Sequence, residues 1–282
     1  MLGVALGLCA SICWGISDFL GGLQSRHHHQ LGVMLSAAII GTALVAVVVA
    51  ISGAPMPAGR YLLYGAAGGL LVTIALLAFY RALAIGVMSV VAPIAASGAV
   101  IPVFVGLASG EHPGPVRLLG AAVAILGVVL VSRRGRGEDR ALLSALSVVL
   151  AVIAGIGFGG QFVALHAAAK GSALWGALAG VVTYLVAVSI AAGVAVFHGH
   201  RLRPDPSAAP GLVALGLAWG GANAFYATAT RHGQLSAVAV AASLYPAITV
   251  VMARAVLHER VMRIQELGMV AAVVGIVLIA AG

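Results

Sequence analysis

The chain has 282 residues, 62% of them hydrophobic and 8% charged, with fifteen basic and seven acidic side chains and a net charge of +8. Soluble domains carry about 45–50% apolar and about 25% charged residues, so this chain reads as an integral membrane protein. The positive excess fits anionic lipid headgroups and a positive-inside bias; no basic face with interleaved aromatics exists, which excludes nucleic-acid binding.

A bilayer core takes about 20 apolar residues per helix. Polar or Gly/Pro punctuation divides the chain into ten such segments, roughly 2–23, 31–52, 61–81, 88–109, 115–132, 141–165, 173–197, 210–230, 235–257 and 262–281. The first lacks a basic leader and exceeds a signal core of about 7–15 residues, so it reads as an uncleaved span. Its Cys9 and Cys13 share a helix face as small packing residues; no further ligands accompany them for a metal, and no disulfide framework is implied.

Trp14 and Asp18 also lie four apart on one face of this segment. A carboxylate within a span costs roughly 2.5–3.5 kcal/mol unless it faces protein or a water-filled cavity. Asp18 either lines such a cavity, where it is the proton-coupling candidate, or sits in the last turn near the membrane surface; the cavity reading is preferred. His27-His28-His29 follow. Adjacent side chains point apart and no carboxylate flanks them, so they read as an interfacial cluster rather than a metal site.

Further along, Thr73 and Tyr80 lie seven apart in span three. Pro93, Pro102 and Pro246 fall within spans, where proline frees a backbone carbonyl and bends the helix. They are the helix-kink candidates, in a cavity wall or a plain packing bend. Span six carries Phe158 and Gln161, and Gln161 falls opposite Asp18 in the repeat described below. It reads as a hydrogen-bonding cavity residue or as an interhelical bond. Span eight places Trp219, Asn223 and Tyr226 at i, i+4 and i+7, a polar-tipped stripe that should face inward. Glu111 and Glu259 read as helix N-terminal charges, and Arg254 as a snorkelling side chain.

The two halves repeat each other. A shift of 148 superposes Glu111 on Glu259, Gly120 on Gly268 and Gly127 on Gly275; a shift of 146 lays Ala78-Phe79-Tyr80 on Ala224-Phe225-Tyr226. Five spans per copy is an odd number, so the second copy enters the membrane in the opposite direction. The fold expected is an all-α bundle of ten transmembrane helices. It comprises a first five-helix repeat at 1–132, a charged linker at 133–140 and a second repeat at 141–282. Such inverted pairs bracket a site near the bilayer midplane. Glycines recur four apart, as in Gly65/Gly69, Gly155/Gly159, Gly176/Gly180 and Gly216/Gly220, spacing that lets helix backbones approach closely.

Arg26, Arg81, Arg133, Arg134, Arg136, Arg140, Arg201, Arg203, Arg254, Arg260 and Arg263 fall on one side of this layout; Arg60, Arg117, Lys170 and Arg231 fall on the other. The positive-inside rule then puts both termini outside.

Several stretches together resemble the EamA branch of the drug/metabolite transporter superfamily. Ser11-Ile-Cys-Trp14-Gly15-Ile-Ser17-Asp18-Phe19 is similar to its tryptophan–glycine signature. Leu244-Tyr245-Pro246, followed by Glu259 in Leu-His-Glu-Arg and the Gly268/Gly275 helix, resembles its proline-to-glutamate motif; in the first copy Gly98 stands where that proline would fall. The resemblance implies a multi-pass protein of the inner (plasma) membrane that moves small organic solutes such as metabolites, amino acids or amphipathic compounds. Its implied mode is proton-coupled export by alternating access, with an uptake permease or facilitator as the alternative. Small multidrug exporters, more distant relatives, also place an essential acid in their first span. Substrate contacts are expected from Trp14, Asp18, Tyr80, Phe158, Gln161, Trp219, Asn223, Tyr226 and Tyr245. The expected partners are a small-molecule substrate, the lipid bilayer and protons, with no cofactor, metal or nucleic acid, and the chain acts as a monomer or a homodimer. An intramembrane enzyme is disfavoured: His258-Glu259-Arg-Val-Met262 lacks the second histidine of a zinc protease, and no serine elbow or phosphate loop is present.

Overall fold

A computed structural model describes residues 2–99, 101, 105, 114–131, 145–232, 242, 245–257 and 263–281. The described residues are helical and contain no strand. The helices are α1 (Leu2–His27), α2 (Gln30–Ser52), α3 (Gly59–Ile85), α4 (Met88–Ala96), α5 (Pro115–Val131), α6 (Ala145–Ala169), α7 (Ala173–Phe197), α8 (Ala209–His232), α9 (Tyr245–Leu257) and α10 (Arg263–Ala281). Six stretches are long and apolar enough to cross a membrane: Ala5–His27, Gln30–Ser52, Gly59–Ile85, Ala145–Ala169, Ala173–Phe197 and Pro206–Ala229. They correspond to α1–α3 of one half and α6–α8 of the other.

Contacts between the halves occur in matched pairs. α1 packs on α8 as α6 packs on α3, and α2 packs on α8 as α7 packs on α3. α1 meets α9 as α6 meets α4, and α5 lies along α10. Glycine spacing explains the closest of these approaches. Gly65 and Gly69 of α3 sit against Gly176 and Gly180 of α7, where an added Cβ would run into backbone oxygens. Gly216 and Gly220 of α8 sit in the same way against Ile40 and Gly41 of α2. Lipid offers helices no hydrophobic reason to associate, so such backbone proximity supplies the packing.

α2 and α7 run antiparallel. His29 at the head of α2 lies with its ring 5.6 Å from that of His200, just beyond the end of α7. At the opposite end, the Trp175 indole N–H in the first turn of α7 donates to the Ala54 carbonyl beyond α2, 2.8 Å away.

Three sequence expectations shift. α1 runs four residues past Leu23, so Arg26 lies in a helical turn rather than a loop. Its Nε and Nη2 donate to the carbonyls of Leu83 and Gly86, at 3.3 and 3.1 Å, satisfying orphan acceptors at the end of α3. Span four leaves α-geometry at Ala96 and turns through a 3₁₀ segment, Ser97–Ala99. There Ser97 Oγ donates to Ile94 O at 2.6 Å and Gly98 abuts the backbone of Gly155. Arg254 reaches a partner and not only the interface: its Nη2 pairs with Glu266 of α10 at 2.8 Å. The linker 133–140, Pro102, Glu111 and Glu259 lie outside the described residues.

Candidate functional site

Small residues on α1 bring its polar side chains inside. Gly15 lets α9 approach so closely that an added Cβ would meet Ile248 and the Tyr245 carbonyl, and Thr249 Oγ1 donates to Gly15 O at 3.2 Å. Six residues further on, Gly21 receives the ring of Tyr80. Asp18 lies between these two contacts and is 7% exposed. Its carboxyl is within electrostatic reach of the Tyr80 and Tyr245 hydroxyls. Ser17 is fully buried, and its hydroxyl has no hydrogen-bond partner among the described residues. Among the described residues no basic side chain pairs with Asp18.

Aromatic rings close this cluster. Trp14 lies 5.5 Å from Tyr226 and 6.2 Å from Tyr245, ring centre to ring centre. Residues from α1, α3, α8 and α9 thus converge: Trp14, Asp18, Tyr80, Tyr226 and Tyr245.

Gln161, Trp219 and Asn223 gather elsewhere. They line a narrow cleft between α3, α6, α7 and α8 with room for about one water molecule, and α1 contributes nothing to it. Its walls are largely backbone, from Gly65, Gly68 and Gly69 on one side and Gly176 and Gly180 on the other. Asn223 Nδ2 donates to the Trp219 carbonyl at 2.8 Å. Sequence pseudo-symmetry sets Gln161 opposite Asp18, yet the fold gives them separate surroundings. Phe158 stands edge-on to Phe79, 5.5 Å away, between α6 and α3.

The link between the two groups is Tyr184 of α7, which sequence reasoning missed. It is 1% exposed, lies 4.8 Å from the Trp219 ring, and is within electrostatic reach of Tyr80. A lone tyrosine midway along an otherwise apolar span was the available signal. His200 was missed too, because only the fold brings it to His29. Pro93 lies within α4 and Pro246 in the first described turn of α9. Among the described residues no group of three His, Cys, Asp or Glu side chains could hold a metal ion.

This arrangement, buried polar groups at the junction of matched helix pairs, agrees with a family comparison. The model of the EamA-like transporter family matches twice, over residues 1–133 and 145–281. The chain belongs to the EamA-like transporter family. That family falls within the drug/metabolite transporter superfamily, and its members are transporters, not enzymes. A solved structure titled "Crystal structure of protein" superposes on the EamA-like chain with a TM-score of 0.68. It is 16% identical and aligns over 98% of this chain and 95% of its own, a likeness of fold. No curated protein matches. The EamA-like chain is therefore a multi-pass membrane protein of transporter type, whose partners include lipid and a small-molecule substrate.

Proposed function

We propose that this EamA-like protein is a proton-coupled exporter of small organic solutes in the inner membrane, working by alternating access. Its ten membrane helices form two inverted repeats, 1–132 and 141–282. The matched helix pairs and the antiparallel course of α2 and α7 support the inversion. Two related halves can exchange shapes, so that a site between them opens first to one side and then to the other.

The observation that carries the proton-coupling role is Asp18: a carboxyl 7% exposed, within a membrane helix, near Tyr80 and Tyr245 and unpaired with any described base. Ionisable groups at such depth are costly and mark ion or substrate pathways. Asp18 takes up a proton on one side and releases it on the other, and the surrounding rings of Trp14, Tyr80, Tyr226 and Tyr245 contact the solute or screen it from lipid. Gln161, Trp219 and Asn223, beside this cluster in the glycine-walled cleft, are further solute contacts in this reading.

Counterflow of a mixed metabolite and dye panel in proteoliposomes under a pH gradient, comparing wild type with Asp18→Asn, tests this. Flux driven by the gradient in wild type and lost in a folded Asp18→Asn protein is the expected result. Flux indifferent to the substitution overturns proton coupling and leaves a facilitator or uptake permease of the same fold.

A further inference from the structure

Resting on the reading of Asp18 as a proton carrier, we propose that Ser17, Tyr80 and Ser25 form a hydroxyl relay. It carries the Asp18 proton along the seam between α1 and α3 to the end of the molecule where Arg26 lies. Among the described residues, the buried side-chain polar atoms without a hydrogen-bond partner are all serine hydroxyls of α1: Ser11, Ser17 and Ser25. In other spans Ser36, Thr73 and Thr228 donate to the carbonyl four residues back, the usual resort of a hydroxyl inside a helix. Ser17 and Ser25 hold off from it, so each can still donate and accept.

Their spacing sets them around one phenol. Ser17, Gly21 and Ser25 stand at i, i+4 and i+8, a single column on α1. Gly21 leaves the middle of that column to Tyr80, since an added Cβ would fall on the ring and its hydroxyl. Neighbours in such a column are about 5–6 Å apart at Cβ, so the Tyr80 hydroxyl comes between the two serines. Helical side chains lean toward the N-terminus, which tips Ser25 toward the phenol. Asp18 adjoins Ser17, and Tyr80, 1% exposed, is near both.

The seam then continues to the rim. Leu83 closes on Gly22, Arg26 donates to the Leu83 and Gly86 carbonyls, and His27 is exposed. In the other direction α1 is sealed: Ile248 fills the space over Gly15, and Thr249 Oγ1 donates to Gly15 O. The relay thus serves one side of the membrane, the side that the arginine bias assigns to the cytoplasm. The titratable groups that α3, α8 and α9 bring to this part of α1 are Tyr80, Tyr226 and Tyr245. The proton moves by concerted hops from Asp18 to Ser17, Tyr80, Ser25 and bulk water. Each hydroxyl oxygen takes one proton and gives one, so every hydroxyl stays neutral and Asp18 is left a carboxylate.

The test is an infrared-detected pH jump on the full chain in lipid nanodiscs, following the carboxyl band that Asp18→Asn removes. Ser25→Ala should slow its deprotonation about tenfold, the equivalent of one lost hydrogen bond. Ser25→Thr keeps the hydroxyl and should restore the wild-type rate. Ser11→Ala removes an equally unpartnered hydroxyl beyond the Gly15 seal and should leave the rate unchanged. Equal rates in wild type and Ser25→Ala, or a like slowing in Ser11→Ala, overturn the relay and leave proton coupling standing. Should Ser25→Ala fail to fold, Tyr80→Phe decides, because it removes the middle hydroxyl, keeps the ring and should slow the band as much. A carboxyl band that ignores pH overturns the relay and the coupling together. A band slowed in Ser25→Ala, beside solute flux indifferent to Asp18→Asn, upholds the relay and counts against coupling.

Discussion

The ring of Tyr184 lies 4.8 Å from that of Trp219, tilted by 42°, and this pair stands between the glycine-walled cleft and the Asp18 cluster. The cleft face of the pair is Trp219, and the face toward Tyr80 is Tyr184. On the transport reading, this pair acts as an aromatic layer between the two polar regions.

Tyr184→Ala should breach that layer. Downhill counterflow is expected to persist while uphill, gradient-driven accumulation falls, since solute and proton no longer wait on each other. Tyr184→Phe keeps the ring and should hold both activities, with stability changed by no more than about 1.5 kcal/mol for one hydroxyl. Equal uphill accumulation by Tyr184→Ala and wild type would show that the layer does not gate.

Gly69 tests the packing of α3 on α7. An added Cβ there meets Thr183 Cβ at 2.8 Å and the Gly180 carbonyl region. Gly69→Val should cost about 1–3 kcal/mol as an overpacking substitution. Gly193, on α7 itself, has nothing within 4 Å of an added Cβ, so Gly193→Ala should be neutral or gain up to about 1 kcal/mol of helix propensity. Thermal unfolding in nanodiscs separates the two; similar losses at both positions refute close helix contact as the cause.

The His29–His200 contact should respond to acid. His29 Nδ1 accepts from Leu31 N at 3.3 Å, capping α2. Burial, and secondarily His200, hold its imidazole below the usual 6.5. The sign follows: the contact binds fewer protons closed than open, so it is full above pH 6.5 and weakens as pH falls below it. Other charged or titratable groups on the converging segments are Arg26 and His27 from α1, His28 from the turn to α2, and His198, Arg201, Arg203 and Asp205 from the connection to α8. Arg26 is engaged with the Leu83 and Gly86 carbonyls, and Asp205 is the one acid of the set. Protection of Leu31 and of residues 198–205 against hydrogen exchange, measured relative to intrinsic exchange at each pH, should fall below pH 6.5 in wild type. His29→Asn, which caps without titrating, should flatten that response; an unchanged profile in this variant assigns the sensitivity elsewhere.

Arg254 and Glu266 are both well exposed, at 41% and 46% of the side chain. A double-mutant cycle with Arg254→Met and Glu266→Gln should return less than about 1 kcal/mol. A larger coupling would make the pair a genuine tie between α9 and α10.

Much of this was legible in residue order. Hydropathy placed 31–52 and 173–197 within a residue of α2 and α7, because uninterrupted apolar runs end at polar or glycine breaks that the backbone also obeys. The repeat offset aligned Tyr80 with Tyr226, and in the fold Tyr80 packs on Gly21 and Tyr226 on Trp14 of α1. What order could not show is which polar residues share a cavity. Gln161 and Asp18 occupy related places in their own repeats, yet each is surrounded by helices distant in the chain, and those differ. Tyr184 and His200 were invisible for the same reason: one gains its meaning from Trp219, the other from His29. The 3₁₀ turn at Ser97–Ala99 lies where Gly98 meets Gly155, again a contact across halves.

The two ends of the α2–α7 pair are fastened by different chemistry. At one rim an indole N–H holds a backbone carbonyl, a bond indifferent to acidity; at the other, two imidazoles face each other. Acid thus acts on one end of the α2–α7 pair and spares the other. Two related repeats can in this way answer pH unequally at their two ends, through side chains at the helix termini alone.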